Sequence, residues 1–200
     1  MAIETRELVV ADKSLDEFLQ KCENKKFQNN NTLDNMKFQW CLDVGGTWFA
    51  TYDEGEIISL SGIHPWDYGR HFGTDEKSWR ILFRGVQLEP RKIGLNRYHM
   101  QSHGFFYEIP MQIEWAMKRS LNPDNEYFYI TTNTDNDNSG KMIRINKTFH
   151  HLEKTGLVKC LGVSEVYDVD QTVWELNQEK YKQIRDCLLY TSDAADESLC

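Results

Sequence analysis

The stretch Thr47-Trp48-Phe49-Ala50-Thr51-Tyr52, the turn residues Asp53-Glu54-Gly55, and Glu56-Ile57-Ile58-Ser59-Leu60-Ser61-Gly62-Ile63 read as a β-hairpin. β-Branched and aromatic residues fill both arms, and a glycine sits where the chain must reverse. An isolated hairpin is marginal in water, so the remaining chain must supply strands beside it or helices over it.

Those elements are legible. Glu4–Val10 reads as a strand, and Ser14 before Leu15-Asp16-Glu17-Phe18-Leu19 reads as an N-cap and a short amphipathic helix, broken by Gln28-Asn29-Asn30-Asn31. Phe38–Leu42 fits a strand or a helix end, and period alone leaves both open. Trp79–Leu88 reads as the next strand, stopped by Pro90. Arg97–Ser102 and Gln112–Arg119 suit helix, with a kink or break expected from Gly104 and Pro110. Tyr127–Thr132 is a strand by composition. Met142, Ile145, Phe149 and Leu152 recur at helical spacing, with Gly156 placed as a C-terminal cap. Val158–Val166 and Thr172–Leu176 close the pattern as strands. The order β, α, β-hairpin, β, α, β, α, β, β implies a mixed α/β sheet, in which the Trp79 and Tyr127 strands run parallel through a helical crossover.

A chain of 200 residues, 40% hydrophobic and 12% aromatic, can build one substantial core, and residues 1–186 are expected to form a single domain. The net charge of −8 argues against a phosphate-backbone binder, so nucleic acid is not an expected partner. No apolar run approaches the ~20 residues that span a bilayer, and the start lacks a charged-then-apolar signal pattern. A cytoplasmic chain with no membrane contact is the expectation. Five cysteines (Cys22, Cys41, Cys160, Cys187 and Cys200), an odd number with no C-x-x-C pair, read as reduced thiols. The segment from Cys187 to Glu197 breaks in character from the chain before it and resembles the translation of a sequencing adapter, so residues 187–200 are expected to be a non-native tail of metagenomic type. They hold Asp193, Asp196 and Glu197 and no Lys or Arg, and without them the net charge moves from −8 to −5.

At Val86-Gln87-Leu88-Glu89-Pro90-Arg91-Lys92-Ile93-Gly94-Leu95-Asn96 the chain leaves a strand and enters a helix. This turn resembles that of the GNAT superfamily of acetyl-CoA-dependent N-acetyltransferases, whose pattern is V-x-P-x-x-[RQ]-G-x-G-x-[GA]. Val86, Arg91 and Gly94 fall in register, while Leu88 replaces the proline, Lys92 the first glycine and Asn96 the last small residue. Glu153-Lys154-Thr155-Gly156-Leu157 is similar to the family's E-K-x-G-F close, and the resemblance covers residues 4 to 176. It implies a GNAT-like acyltransferase fold, acetyl-CoA as cofactor, and a small-molecule or peptide amine as acceptor. It also implies that acetyl-CoA lies between the Trp79 and Tyr127 strands. Main-chain groups of Val86 and Leu88 would follow the pantetheine arm, with Arg91, Lys92, Ile93, Gly94, Leu95, Asn96 and Arg97 at the pyrophosphate. The physics agrees, because the first N–H groups of a helix are unpaired and its dipole favours anions, and Arg91 adds a bidentate donor.

Catalysis departs from the family. Four residues before Gly156, where many members carry a tyrosine that protonates the leaving thiolate, stands Leu152. His151 is adjacent, but neighbouring helical residues point about 100° apart, so it does not simply replace the tyrosine. Glu89 is the candidate base for the acceptor amine, directly or through a water. The alternative is a catalytically inactive domain of this fold serving as a binding or structural module, of the kind a viral genome carries.

Other motifs fall short. Asp135-x-Asp137-x-Ser139-Gly140 imitates a calcium loop, but its twelfth position is Asn146 where a Glu is required. His99 and His103 lack a third ligand, and no metal is expected. Gly45-Gly46 lacks the Gly-Lys-Ser/Thr ending of a phosphate loop. Tyr98, Phe105, Phe106, Tyr107 and Trp115 read as core or groove aromatics.

Overall fold

A computed structural model of the chain describes residues 4–10, 13–23, 35–53, 55–66, 78–84, 108–121, 126–134, 141–166, 170–184 and 186. These fall in two units, one drawn from Met1–Pro65 and Ile81–Arg119, the other from Trp66–Arg80 and Ser120–Cys200. The expected tail, residues 187–200, lies outside the described residues.

The first unit is organised by the hairpin. Strand β1 (Glu4–Leu8) pairs antiparallel with β2 (Thr47–Asp53), which pairs antiparallel with β3 (Glu56–Pro65) from Thr47↔Ile63 to Asp53↔Glu56. A register shift between Thr51 and Tyr52 twists the ladder. Two helices, α1 (Lys13–Glu23) and α2 (Asn35–Asp43), precede β2. The ambiguity at Phe38–Leu42 is thus resolved as helix. The reason is packing: Phe38 and Cys41, three apart, both enter a core with Leu8, Leu15, Phe18, Trp48, Ala50, Tyr52, Ile57 and Leu60, while Gln39 and Trp40 stay exposed. The Trp48 ring stacks on Phe38 at 5.5 Å, and its Nε1 donates to the Phe38 carbonyl at 3.1 Å.

Gly45-Gly46, set aside as a phosphate loop, ends α2. Gly45 takes φ of 85°, its N–H donates to the Leu42 carbonyl at 3.0 Å, and the Gly46 N–H donates to Cys41 at 2.8 Å, a Schellman cap. A Cβ on Gly46 would lie 2.3 Å from the Ile63 carbonyl oxygen, so no side chain fits.

Eight consecutive residues of β3, Ile57–His64, are buried, because the hairpin is covered on both faces. The second face carries Thr51, Ser59 and Ser61 and meets helix α3, described over residues 108–117, through Glu108 and Gln112. Pro110 lies within the described part of this helix, while Gly104, the other residue at which a kink or break was expected, lies outside the described residues.

In the second unit the strand order is β4 (Ser78–Arg84), β5 (Tyr127–Asn133), β7 (Asp170–Leu176), β6 (Val158–Glu165), with Ser78–Arg80 the part of β4 that belongs to this unit. Residues Ser78, Trp79 and Arg80 pair in parallel with Tyr127, Phe128 and Tyr129, and the other pairs are antiparallel. The expected parallel pairing of the Trp79 and Tyr127 strands is therefore present. Helix α4 (Lys141–Lys154) packs Phe149 on Trp174 with ring centroids 5.2 Å apart. Gly156, at φ 74°, ends it as expected: its N–H donates to Glu153 at 2.8 Å and the Leu157 N–H to Leu152 at 3.0 Å. A further helix, α5, described over residues 178–184, buries Tyr181 completely.

Candidate cofactor region

The start of the parallel strand pair is held by a buried glutamate one residue ahead of β5. Glu126 accepts a 2.6 Å hydrogen bond from Trp79 Nε1 of β4 through Oε2, and Ser120 Oγ donates to its other oxygen. Its backbone carbonyl accepts from Gln178 Nε2 of α5. A carboxylate that takes two side-chain donors keeps its lone pairs satisfied out of water, which is the condition for burying it. Glu126 escaped the sequence reading. The only trace is a single acid directly before an aromatic strand.

The candidate cofactor residues Val86, Leu88, Arg91, Lys92, Ile93, Gly94, Leu95, Asn96 and Arg97, and the candidate base Glu89, lie outside the described residues, as do His99 and His103. In the sequence they follow β4.

The other candidate is visible. His151 is exposed on α4, while Leu152 beside it is half-buried and takes part in the helix cap. The two side chains thus occupy different sides of the helix. His150, the next residue back, sits edge-on to Trp174 at 5.0 Å and within 3.4 Å of Glu153 Oε2. The Glu153 carboxyl is held below its ordinary range, first by the Cys160 N–H that donates to Oε1 at 2.9 Å and then by His150. Cys41 is not a nucleophile: burial pushes its thiol up to about 12. Among the described residues there is no cluster of His, Cys, Asp and Glu able to hold a metal, and no helix long and apolar enough to cross a membrane.

A second polar assembly also escaped the sequence reading. Thr51, Ser59 and Ser61 from the hairpin, with Glu108 and Gln112 from α3, form a buried group with no large apolar member. Its signals were present: Ser59-Leu60-Ser61 alternates strictly, and Glu108 and Gln112 share a helix face at i, i+4.

No family model matches the sequence, and no curated protein matches it. Solved structures do. An aminoglycoside N-acetyltransferase, AAC(6')-Ib11, superposes with a TM-score of 0.57 at 7% identity, over 90% of this chain and 98% of its own. FeeM, an N-acyl amino acid synthase from uncultured soil microbes, gives 0.55 at 11% identity, over 90% and 92%. A GNAT-family chain from Desulfovibrio desulfuricans gives 0.54 at 12% identity, over 88% and 99%. The chain has the mixed α/β fold of the GNAT acetyltransferases.

Proposed function

We propose that this protein is an acetyl-CoA-dependent N-acetyltransferase, in which an amine bound beside the thioester attacks it directly. The observation that carries the reading is the parallel pairing of β4 with β5 inside a GNAT fold, since antiparallel neighbours there would have favoured an unrelated α+β binding protein. In this reading acetyl-CoA lies between these two strands. Val86 and Leu88 offer main-chain groups to the pantetheine arm, and Arg91–Arg97 receive the pyrophosphate. Orientation of amine and thioester supplies most of the rate, with a strand N–H stabilising the developing oxyanion. The acceptor is a small-molecule or peptide amine. The similar structures named above act on different acceptors, so the fold does not select one.

The second reading, a module of this fold that has lost transfer, rests on Leu152, whose half-buried alkyl side chain cannot protonate a thiolate. Loss of general-acid help costs typically ~10² to 10⁴ in rate, so slow transfer is compatible with the first reading.

Calorimetric titration with acetyl-CoA and CoA tests the cofactor. Both are expected to bind, Arg91→Ala to weaken binding by about 1.5–3 kcal/mol, the range for a hydrogen bond to a charged group, and Gly94→Val to abolish it in a folded protein. Absence of binding to the parent chain, or unchanged binding in both variants, refutes the reading. Binding without thiol release against a panel of amines favours the inactive module.

A further inference from the structure

Glu108 lies on α3, and its side chain is wholly buried between that helix and the polar face of the hairpin. Thr51 Oγ1 donates to Oε1 at 2.7 Å and stands 3.0 Å from the Thr5 hydroxyl. Oε2 has no hydrogen-bond partner. One helical turn on, Gln112 uses its amide N–H on Ser61 Oγ at 2.7 Å, and its own Oε1 is also without a donor. Two acceptor oxygens therefore lie buried on one helix face without a settled donor, and the Ser59 hydroxyl near Glu108, itself unpartnered, is a neutral group that can turn toward the carboxyl.

A cation could satisfy them, but the described neighbours bring none. From β1 comes Glu7, whose Oε1 accepts from Thr47 Oγ1 at 2.7 Å, while Arg6 stands over the Tyr52 ring. β2 and β3 bring only the hydroxyls of Thr51, Ser59 and Ser61, and His64 of β3 faces Trp40 on the α2 side. On α3 itself, Glu114 pairs with Lys118 at 2.7 Å and Arg119 lies over Trp115. One hydroxyl hydrogen bond to a charged group returns about 1.5–3 kcal/mol, whereas an unpaired buried charge costs several kcal/mol. Desolvation wins.

We infer that the Glu108 carboxyl keeps its proton in the folded chain, so that α3 docks on the β2–β3 hairpin through a neutral acid and is held more tightly in acid than at neutral pH. The proton converts Oε2 from an orphan acceptor into a donor, one turn from the Gln112 oxygen that lacks one. Burial pushes the group up from 4.5 to about 7, with the Ser61, Ser59 and Thr51 hydroxyls offsetting part of the rise. The unfolded chain releases this proton near pH 4.5 and the folded chain near 7, so stability falls across that window and is level above it.

Urea unfolding of the parent chain and of Glu108→Gln, at pH 5 and pH 7.5, isolates the effect because every other group is common to both. The unfolding equilibrium constant of the parent, relative to the variant, should rise roughly 50-fold between the two pH values. A ratio independent of pH overturns the inference. Should the variant fail to fold, carbon-13 NMR of the glutamate side-chain carboxyls in the parent chain decides: one must titrate far above the rest, and uniform titration in the ordinary range overturns it.

Discussion

Two glutamates tie helices to strands in this protein, and they are tied by opposite means. Glu153, near the end of α4, is open to solvent, accepts the Cys160 N–H of β6 at 2.9 Å and faces His150, so its charged form is the favoured one. Glu108, on α3, is sealed among hydroxyls and an amide, and its neutral form is favoured. Residue type and secondary structure are the same. What differs is whether water and a full donor reach the carboxyl, and that alone reverses the sign of each residue's response to pH.

The comparison breaks most readily at Glu108. Glu108→Lys replaces a neutral acid with an ammonium that has no counter-charge among its described neighbours, and should destabilise the chain by about 3–5 kcal/mol in denaturant titration. A loss below ~1 kcal/mol would mean that the side chain reaches solvent and that the two glutamates are alike.

A smaller effect is expected at the cap that seats Glu153. Gly156 holds φ of 74°, and a Cβ there would approach Lys180 Nζ to 2.7 Å, a contact that the flexible lysine can relieve. Gly156→Ala should therefore cost about 1–2 kcal/mol, the left-handed backbone penalty, read as a lowered Tm. Loss of several times that would show that Lys180 is fixed in place.

Glu153→Gln should change least. The sign follows from the depressed carboxyl: its contribution is present above the ordinary glutamate range and disappears as pH falls below it, the reverse of Glu108. Parent and variant should thus differ slightly in Tm at pH 7 and converge near pH 3. Divergence on acidification would place Glu153 in the class of Glu108.

Much of the fold was legible along the chain. The hairpin announced itself through β-branched arms and Gly55, the periodicity from Met142 to Leu152 announced α4, and Gly156 marked its end. Such signals are local: a residue prefers its conformation whatever lies far away. Phe38–Leu42 was not legible, because its nine-residue helix is recognised by what Phe38 and Cys41 touch across the core. The parallel turn of β4 and β5 was inferred from element order, and the motif at Arg91–Asn96 from resemblance.

The sequence by itself determined which segments could be strands and helices, and it carried the charge, the glycines and the family-like turn. Only the tertiary structure decided which polar residues are sealed from water. Glu108, Gln112, Ser59 and Ser61 look like surface residues in a linear reading, since each is polar and flanked by apolar neighbours at ordinary spacing. Covering one hairpin with helices on both faces turned such residues into an interior, where the cost of a charge depends on atoms brought together from positions 51, 59, 61, 108 and 112. Desolvation is a property of that assembly, and no residue in it carries the signal alone.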